Sequence, residues 1–201
     1  WGAETPETCR AHEGAVACIG PAGEQRVAYA TIASDEGEHH AGRGGAGAVM
    51  GSKRLKAVVV RGDPPEPIPE LGDLQERYER AYEAADTGRW QAASETLESV
   101  NFANEVGVLS TRGWQEGTFE GAESVGIDAA REATVEREDE GKGFRVATDE
   151  GEETVPRGAA PMTLGAGLGV DDFDAVATLG ETCDRLGLDV ISAGNAVAWA
   201  I

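Results

Sequence analysis

A glycine-rich stretch that leads into a β-branched run constrains the fold of this chain more than any other segment. Residues 41–62 read AGRGGAGAVMGSKRLKAVVVRG. Glycine permits positive φ and close approach of a ligand, and consecutive N–H groups can form an anion-binding nest, to which Arg43 adds a planar guanidinium. The same glycines also suit a tight connection between two strands, where they serve steric needs alone. From the residues by themselves, both interpretations stay open.

Two nucleotide-binding signatures in this stretch fail on their context. Residues 42–47 match G-x-G-x-x-G, which marks a dinucleotide site only between a strand and a full helix. Here the polar residues 34–40 come before it, and barely two helical turns fit before the next strand. Residues 51–53 read Gly-Ser-Lys, the reverse of the Gly-Lys-Ser/Thr order that a P-loop needs. A nucleotide-binding domain is therefore disfavoured.

The chain is strongly acidic, with 37 Asp and Glu against 17 Lys and Arg and a net charge of -20. Such a field repels nucleic acid and anionic membranes, and no apolar run approaches the ~18–20 residues that cross a bilayer, so neither is an expected partner. Because the acid is spread along the whole chain, it indicates adaptation to high salt. The three cysteines form no C-x-x-C pair, which indicates a reducing compartment and favours a cytoplasmic location.

Strand patterns predominate in the first part of the chain. Apolar and β-branched runs predict strands at 15–19, 26–33 and 56–62, and the last is continuous enough to be predicted as buried. The run DPPEPIPE at 63–70 cannot continue a sheet or a helix. It predicts a proline-rich linker and a domain boundary.

Helical periodicity predominates after this linker. The predicted helices cover 71–100 with a break at Thr87-Gly88, 127–138, 173–186 after an N-cap at Asp171-Asp172, and 190–201. A loop at 101–126 and a hairpin at 143–158 that turns at 149–151 complete the prediction. We therefore expect an α+β fold, with a sheet-rich N-terminal portion followed by a mainly helical portion. Because the chain starts at Trp1 and stops within the helical pattern AVAWAI, we expect it to be cut from a longer protein.

Several long motifs, read together, resemble the tungsten-containing aldehyde ferredoxin oxidoreductase family. They are IGPAGE at 19–24, GRGGAGAVMGSKRLKAVVV at 42–60, NFANEVGVLSTRGWQEGTFEG at 101–121, and D-x-x-G-L-D at 184–189 with VISAGNAVAWA after it. The resemblance covers nearly the entire chain. It implies that residues 1–62 are part of a β-rich pterin-binding N-terminal domain and that 71–201 are the truncated start of a mainly helical second domain.

This resemblance implies a cofactor and a reaction. In the family, a tungsten or molybdenum ion held by the dithiolenes of two pterins oxidises aldehydes to carboxylic acids, and a [4Fe–4S] cluster passes the electrons to ferredoxin. A tungstopterin, a small aldehyde substrate and ferredoxin as partner are therefore implied, while a homo-oligomer is left open. The pterin-facing positions that the resemblance implies are His39, His40, Gly42, Arg43, Gly44, Gly45, Asp184, Leu188 and Asp189. The family usually has Arg-Ala at the first two of these positions, so a fixed cation becomes titratable here.

The chain departs from the family in its redox region. Between 127 and 165 the family carries a C-x-x-C-x-x-x-C run that binds the cluster, whereas the cysteines of this chain are Cys9, Cys18 and Cys183. Arg and Glu side chains, which are present in this interval, do not replace thiolates as cluster ligands. Two hypotheses follow. The chain is a fragment or diverged member of the oxidoreductase family, with its activity left open, or a non-redox relative that retains a pterin- or phosphate-binding scaffold.

The acidic composition predicts that the melting temperature of the protein rises with KCl concentration. Screening shortens from about 10 Å at 0.1 M salt to about 3 Å at 1 M, which relieves the repulsion among the excess carboxylates. A thermal melt monitored by circular dichroism over a KCl series checks this. A melting temperature that stays flat or falls up to molar salt would contradict the assignment of the acidic surface to high salt.

Overall fold

Two antiparallel sheets and a set of helices build the chain in the computed structural model. The structure describes residues 1–62, 68–85, 97–137, 144–148, 153–154 and 159–201. The fold is α+β, as predicted, with a sheet in the N-terminal portion and mostly helix after it. Among the described residues, no helix is both long enough and apolar enough to cross a membrane.

The N-terminal sheet has four strands in the order β3-β2-β1-β4, and each neighbouring pair is antiparallel. The strands are β1 (Ala15–Cys18), β2 (Ile32–Ser34), β3 (His39–Ala41) and β4 (Ala57–Val60). The short helix α1 (Thr5–Arg10) packs on one face of this sheet, where Cys9, Val16, Cys18 and Ala33 form a buried apolar cluster. This cluster is the core of the N-terminal portion.

Two expectations for this portion were wrong in part. The predicted strand at 26–33 is a strand only from Ile32, because Arg26 and Val27 close a turn onto Gly23 and Ala22 by backbone hydrogen bonds of 2.9 Å. The strand predicted at 56–62 exists as β4, but it is not buried on both faces. As the outer strand of the sheet it leaves Val58 46% and Val60 64% exposed, with the alternation of a half-buried strand.

Two glycines of the opening stretch allow α3 (Ala46–Ser52) to pack closely against neighbouring backbone, including that of α2 (Pro21–Glu24). A Cβ at Gly47 would overlap the carbonyl oxygen of Thr31, and one at Gly51 would overlap that of Gly23. An ion pair joins the IGPAGE motif at 19–24 to the residues after α3. Lys56 Nζ lies 2.5 Å from Glu24 Oε1, and the two side chains are 18% and 3% exposed. The steric interpretation is therefore confirmed for these glycines.

The second portion consists of helices with a small hairpin sheet. Its helices are α4 (Pro69–Ala84), α5 (Glu98–Glu105), α6 (Ala122–Val125), α7 (Ile127–Ala133), α8 (Phe173–Leu186) and α9 (Val190–Ala200), with a π-helical turn at Pro161–Ala166. The antiparallel strands β5 (Thr134–Arg137), β6 (Phe144–Ala147) and β7 (Glu153–Thr154) form the second sheet. Phe119, Val125, Leu164 and Val176 lie in the main core between these elements.

The helices predicted at 173–186 and 190–201 are confirmed, and the Asp172 carboxylate caps α8 by accepting from Ala175 N at 3.2 Å. Three boundaries were wrong. Helix α4 begins at Pro69, inside the predicted linker, because proline is tolerated in the first turn. Residues of the predicted loop at 101–126 form most of α5, and α6 is helical as well.

The third boundary is the helix predicted at 127–138, which ends at Ala133. Thr134 and Val135 are β-branched and continue as β5, which pairs with β6. The strands of the predicted hairpin pair as expected through β6 and β7. Its turn at 149–151, the helix break at Thr87-Gly88 and most of the linker lie outside the described residues.

The close contact of α3 with α2 predicts that Gly51→Ala lowers the free energy of unfolding by ~1–3 kcal/mol or more, because the added methyl group meets backbone that cannot yield. The matched control is Gly72→Ala. Gly72 lies in exposed helix α4 with nothing within 4 Å of an added Cβ, so this change should stabilise by up to ~1 kcal/mol. Urea denaturation of both variants measures the difference. Equal effects at the two positions would contradict the steric role of Gly51.

Candidate functional site

The D-x-x-G-L-D motif docks against the N-terminal portion through its backbone. Thr31 N donates to Gly187 O at 2.8 Å, and Asp189 N donates to Tyr29 O at 3.0 Å, which brackets an antiparallel bridge between Ala30 and Leu188. Gly187 takes the left-handed conformation, with φ 74°, that ends α8. Residues 29–31 and residues 187–189 of the motif are thereby held together as a short antiparallel pair of segments.

Helix α1 holds the same motif from the other side. The Thr5 hydroxyl donates to Asp184 O at 2.7 Å, and the Glu4 carboxylate accepts from the Arg185 guanidinium at 2.9 and 3.2 Å. A Cβ on Gly20, in the IGPAGE turn, would overlap the carbonyl oxygen of Leu186. The turn between α8 and α9 is therefore fixed by contacts on several sides.

His40 links the glycine loop to Asp184. Its ring is 7% exposed, and Nε2 lies 2.9 Å from Gly37 O and 3.4 Å from Asp184 Oδ1. Because a carbonyl oxygen only accepts, Nε2 carries a hydrogen, and in the neutral ring Nδ1 accepts from the Thr31 hydroxyl at 2.7 Å. The imidazole is thus buried as a bridge between the loop and α8.

The two carboxylate oxygens of Asp189 make different contacts. Oδ2 caps α9 by accepting from Ser192 N at 2.9 Å and from the Ser192 hydroxyl at 2.5 Å. Oδ1 faces the loop, where a Cβ added to Gly42 would stand 3.0 Å from it. The residue is 7% exposed. The helix cap therefore holds the second oxygen in a fixed orientation towards Gly42.

The remaining loop residues divide into an open group and a packed group. Gly44 has φ 97° with nothing within 4 Å of an added Cβ, and the exposed Arg43 side chain forms no ion pair or hydrogen bond within the described part of the chain. Gly45 is buried, since a Cβ there would overlap the carbonyl oxygen of Ala28. His39 is 57% exposed and lies 3.2 Å from Asp35 through Nδ1. Arg43 and Gly44 are therefore the open residues of the loop.

The residues behind the motif are apolar and inert. Leu188 packs against the main core, and Cys183 is buried beside it. Burial, together with the neighbouring carboxylates of Asp184 and Asp189, raises the pKa of the Cys183 thiol to about 11. This thiol is therefore protonated at neutral pH.

The groups of the candidate site are suited to binding a ligand through hydrogen bonds and charge. It offers fixed carboxylate acceptors at Asp184 and Asp189, bare backbone at Gly42 and Gly44, and a cation at Arg43. Such a set suits a planar heterocycle with N–H donors that carries an anionic group. Within the described residues, no group of three or more His, Cys, Asp or Glu side chains is placed to hold a metal ion.

Sequence reasoning missed the residues that support this site. Thr31 and Gly37 position His40, and Thr5 holds the carbonyl of Asp184, but all three act through contacts that no local pattern announces. Ser192 was detectable, since Asp189 and Ser192 have the three-residue spacing of a helix cap. The structure brings His40 together with Asp184 and Gly42 together with Asp189, whereas His39 and Gly45 are engaged elsewhere.

Two family models match this chain. Residues 1–62 match the model described as "Aldehyde ferredoxin oxidoreductase, N-terminal domain", and residues 73–201 match "Aldehyde ferredoxin oxidoreductase, domains 2 & 3". The chain belongs to the aldehyde ferredoxin oxidoreductase family.

Individual relatives agree with this assignment. The tungsten-containing aldehyde ferredoxin oxidoreductase of Pyrococcus furiosus is 34% identical, with 100% of this chain and 36% of the relative covered. The corresponding protein of Thermococcus kodakarensis is also 34% identical, with 92% and 32% covered. The chain therefore spans about a third of the length of these relatives.

One solved structure shares the fold. It is the active site complex BamBC of benzoyl coenzyme A reductase in complex with 1,5 dienoyl-CoA, with a TM-score of 0.70 and 23% identity. The match covers 99% of this chain and 34% of that chain. The likeness shows that the sheet, the loop and the helices of this chain form one recurring scaffold.

The capping of α9 by Asp189 predicts how substitutions of this residue change stability. Asp189→Ala should lower the free energy of unfolding by about 1 kcal/mol, because α9 loses its cap, while Asp189→Asn should cost less, because an asparagine oxygen caps as well. Asp172→Ala, which uncaps α8, provides a matched loss at a distant helix end. Urea denaturation measures all three. An asparagine variant as unstable as the alanine variant would contradict the capping role.

Proposed function

We propose that this chain forms part of the tungstopterin-binding region of an aldehyde ferredoxin oxidoreductase that converts an aldehyde to a carboxylic acid. The observation that supports this most is the meeting of two distant motifs, in which Gly42 of the glycine loop faces Asp189 of the D-x-x-G-L-D motif. The relatives named above are tungsten-containing enzymes by name, which supports tungsten as the metal. When bound, the metallopterin supplies the two-electron redox chemistry.

The chain's own residues bind and orient this cofactor. We assign to Asp184 and Asp189 the role of accepting hydrogen bonds from pterin ring N–H groups, because both carboxylates are already held in place, by His40 and by the cap of α9. Arg43 suits the pterin phosphate, since its planar fork matches that anion. Gly42 and Gly44 allow the ligand to approach the backbone.

The larger setting of this site follows from the same proposal. Residues 1–62 belong to a β-rich pterin-binding domain, the proline-rich residues 63–70 connect it to the next one, and the rest begins a mainly helical domain. Electrons leave for ferredoxin, in the reducing cytoplasm, through a [4Fe–4S] cluster that this chain does not itself ligate. The acidic surface is an adaptation to high salt.

A second function has one specific observation in its favour. The interval from 127 to 165 contains no cysteine in this sequence, although the family's cluster ligands stand there. A non-redox relative that keeps the pterin- or phosphate-binding scaffold would show this combination of an intact glycine loop and missing thiolates. It predicts pterin binding without iron.

Analysis of the protein purified without oxygen, in its complete natural form, tests both functions. The oxidoreductase proposal expects tungsten or molybdenum, pterin, and iron with broad absorbance near ~400 nm from a cluster. Pterin without iron would support the non-redox relative, and absence of pterin would contradict both.

Asp189→Asn should reduce pterin content severalfold because an amide replaces the carboxylate acceptor. Asp172→Asn, at the other helix cap, should leave it unchanged.

A further inference from the structure

Two thiols touch each other under the N-terminal sheet. Cys9 Sγ on α1 lies 3.6 Å from Cys18 Sγ on β1, and the residues are 5% and 0% exposed. The Cys18 thiol also lies 3.6 Å from the carbonyl oxygen of Thr5, within the same helix. The third cysteine, Cys183, sits in the separate main core. The contact between Cys9 and Cys18 therefore joins α1 to the sheet at one point.

The two partners of this contact differ in how far they can move. Cys18 lies on an interior strand, since β1 pairs with β2 on one side and with β4 on the other. Cys9 lies in the last turn of a helix of six residues. Closing the gap to a disulfide of ~2.0 Å needs rotation of the side chains and a small shift of α1, while the sheet stays in place.

Although Cys9 is only 5% exposed, it borders open space at the protein surface. A solvent-open cavity of about 720 Å³ is lined by Cys9 together with Arg10, His12 and the acidic residues Asp35 and Glu38. Burial, together with the hydrogen bond to Cys9, raises the pKa of the Cys18 thiol to about 12. Cys9 is therefore the thiol that meets an oxidant first, and Cys18 is the one that resolves the product.

We infer that Cys9 and Cys18 are a redox modification site, which a low-molecular-weight disulfide converts to a reversible intramolecular disulfide. The Cys9 thiolate attacks the small disulfide, forms a mixed disulfide and releases one small thiolate. Cys18 then gives up its proton and attacks Cys9 Sγ, which releases the second small thiolate. The two protein thiols lose two electrons and two protons in all, and the small disulfide gains the electrons.

The disulfide would fasten the helix that holds the candidate site. Glu4 caps α1 and pairs with Arg185, and Thr5, the first residue of α1, holds the carbonyl of Asp184. Oxidation ties this helix covalently to the sheet, and a thiol pool that reduces the disulfide releases it. This inference does not depend on the proposed cofactor, since the thiols and their contacts belong to this chain alone.

Peptide mapping of the folded protein tests the site. The protein is incubated with oxidised glutathione at about pH 8, where thiolate is available, then alkylated with iodoacetamide and digested with trypsin without reduction. Trypsin cleaves after Arg10 and Arg26, so Cys9 lies in the peptide that ends at Arg10 and Cys18 in peptide 11–26. We expect these peptides linked and lighter than their sum by two hydrogens, with Cys183 alkylated. Alkylated Cys9 and Cys18, stable glutathione on Cys9, or a link to Cys183 would overturn the inference.

Two cysteine variants and a measurement of stability in urea test the same inference independently. Cys18→Ala should trap glutathione on Cys9, whereas the matched control Cys183→Ala should form the link as the natural chain does. The oxidised natural chain and Cys183→Ala should unfold at a higher urea concentration than their reduced forms, because the link restricts the unfolded chain. No such shift in the natural chain would also overturn the inference.

Discussion

The rest of this structure depends on one short antiparallel contact, between Tyr29–Thr31 in the N-terminal portion and Gly187–Asp189 in the second portion. Its two backbone hydrogen bonds, of 2.8 and 3.0 Å, join segments that are far apart in the chain. Beside this contact, Gly20 packs closely against the end of α8, where a Cβ would overlap the carbonyl oxygen of Leu186. Once the two portions meet in this way, the glycine loop and the end of α8 have no freedom to separate.

The same contact orients the polar groups of the site. Asp189 is held by its own backbone and by Ser192, so that one oxygen caps α9 and the other faces Gly42. Asp184 is held by its carbonyl, through Thr5, and by its carboxylate, through His40. A binding site built from such anchored acceptors loses little entropy when a ligand arrives, since its side chains are ordered beforehand.

The two neighbouring histidines, His39 and His40, have different environments in the structure. His40 is not an exposed substitute for a fixed cation, because its ring is buried against Thr31, Gly37 and Asp184. His39 turns to Asp35 at the surface. The cation that remains available to an anionic ligand at this loop is Arg43, whose side chain is exposed.

The sequence by itself determined the α+β class, the helices after Asp172 and Asp189, the strands β1 and β4, and the family, because these rest on local periodicity, helix caps and long motifs. It also left the glycine stretch with two interpretations. Only the tertiary structure showed that Gly45, Gly47 and Gly51 pack against backbone, that Gly42 faces the Asp189 carboxylate, and that Gly44 is open. The tertiary structure also limited the strand predicted at 26–33 to the residues from Ile32 onward and left one face of β4 exposed. The physical reason is that steric contact and strand burial depend on partners distant in sequence, which local patterns do not encode.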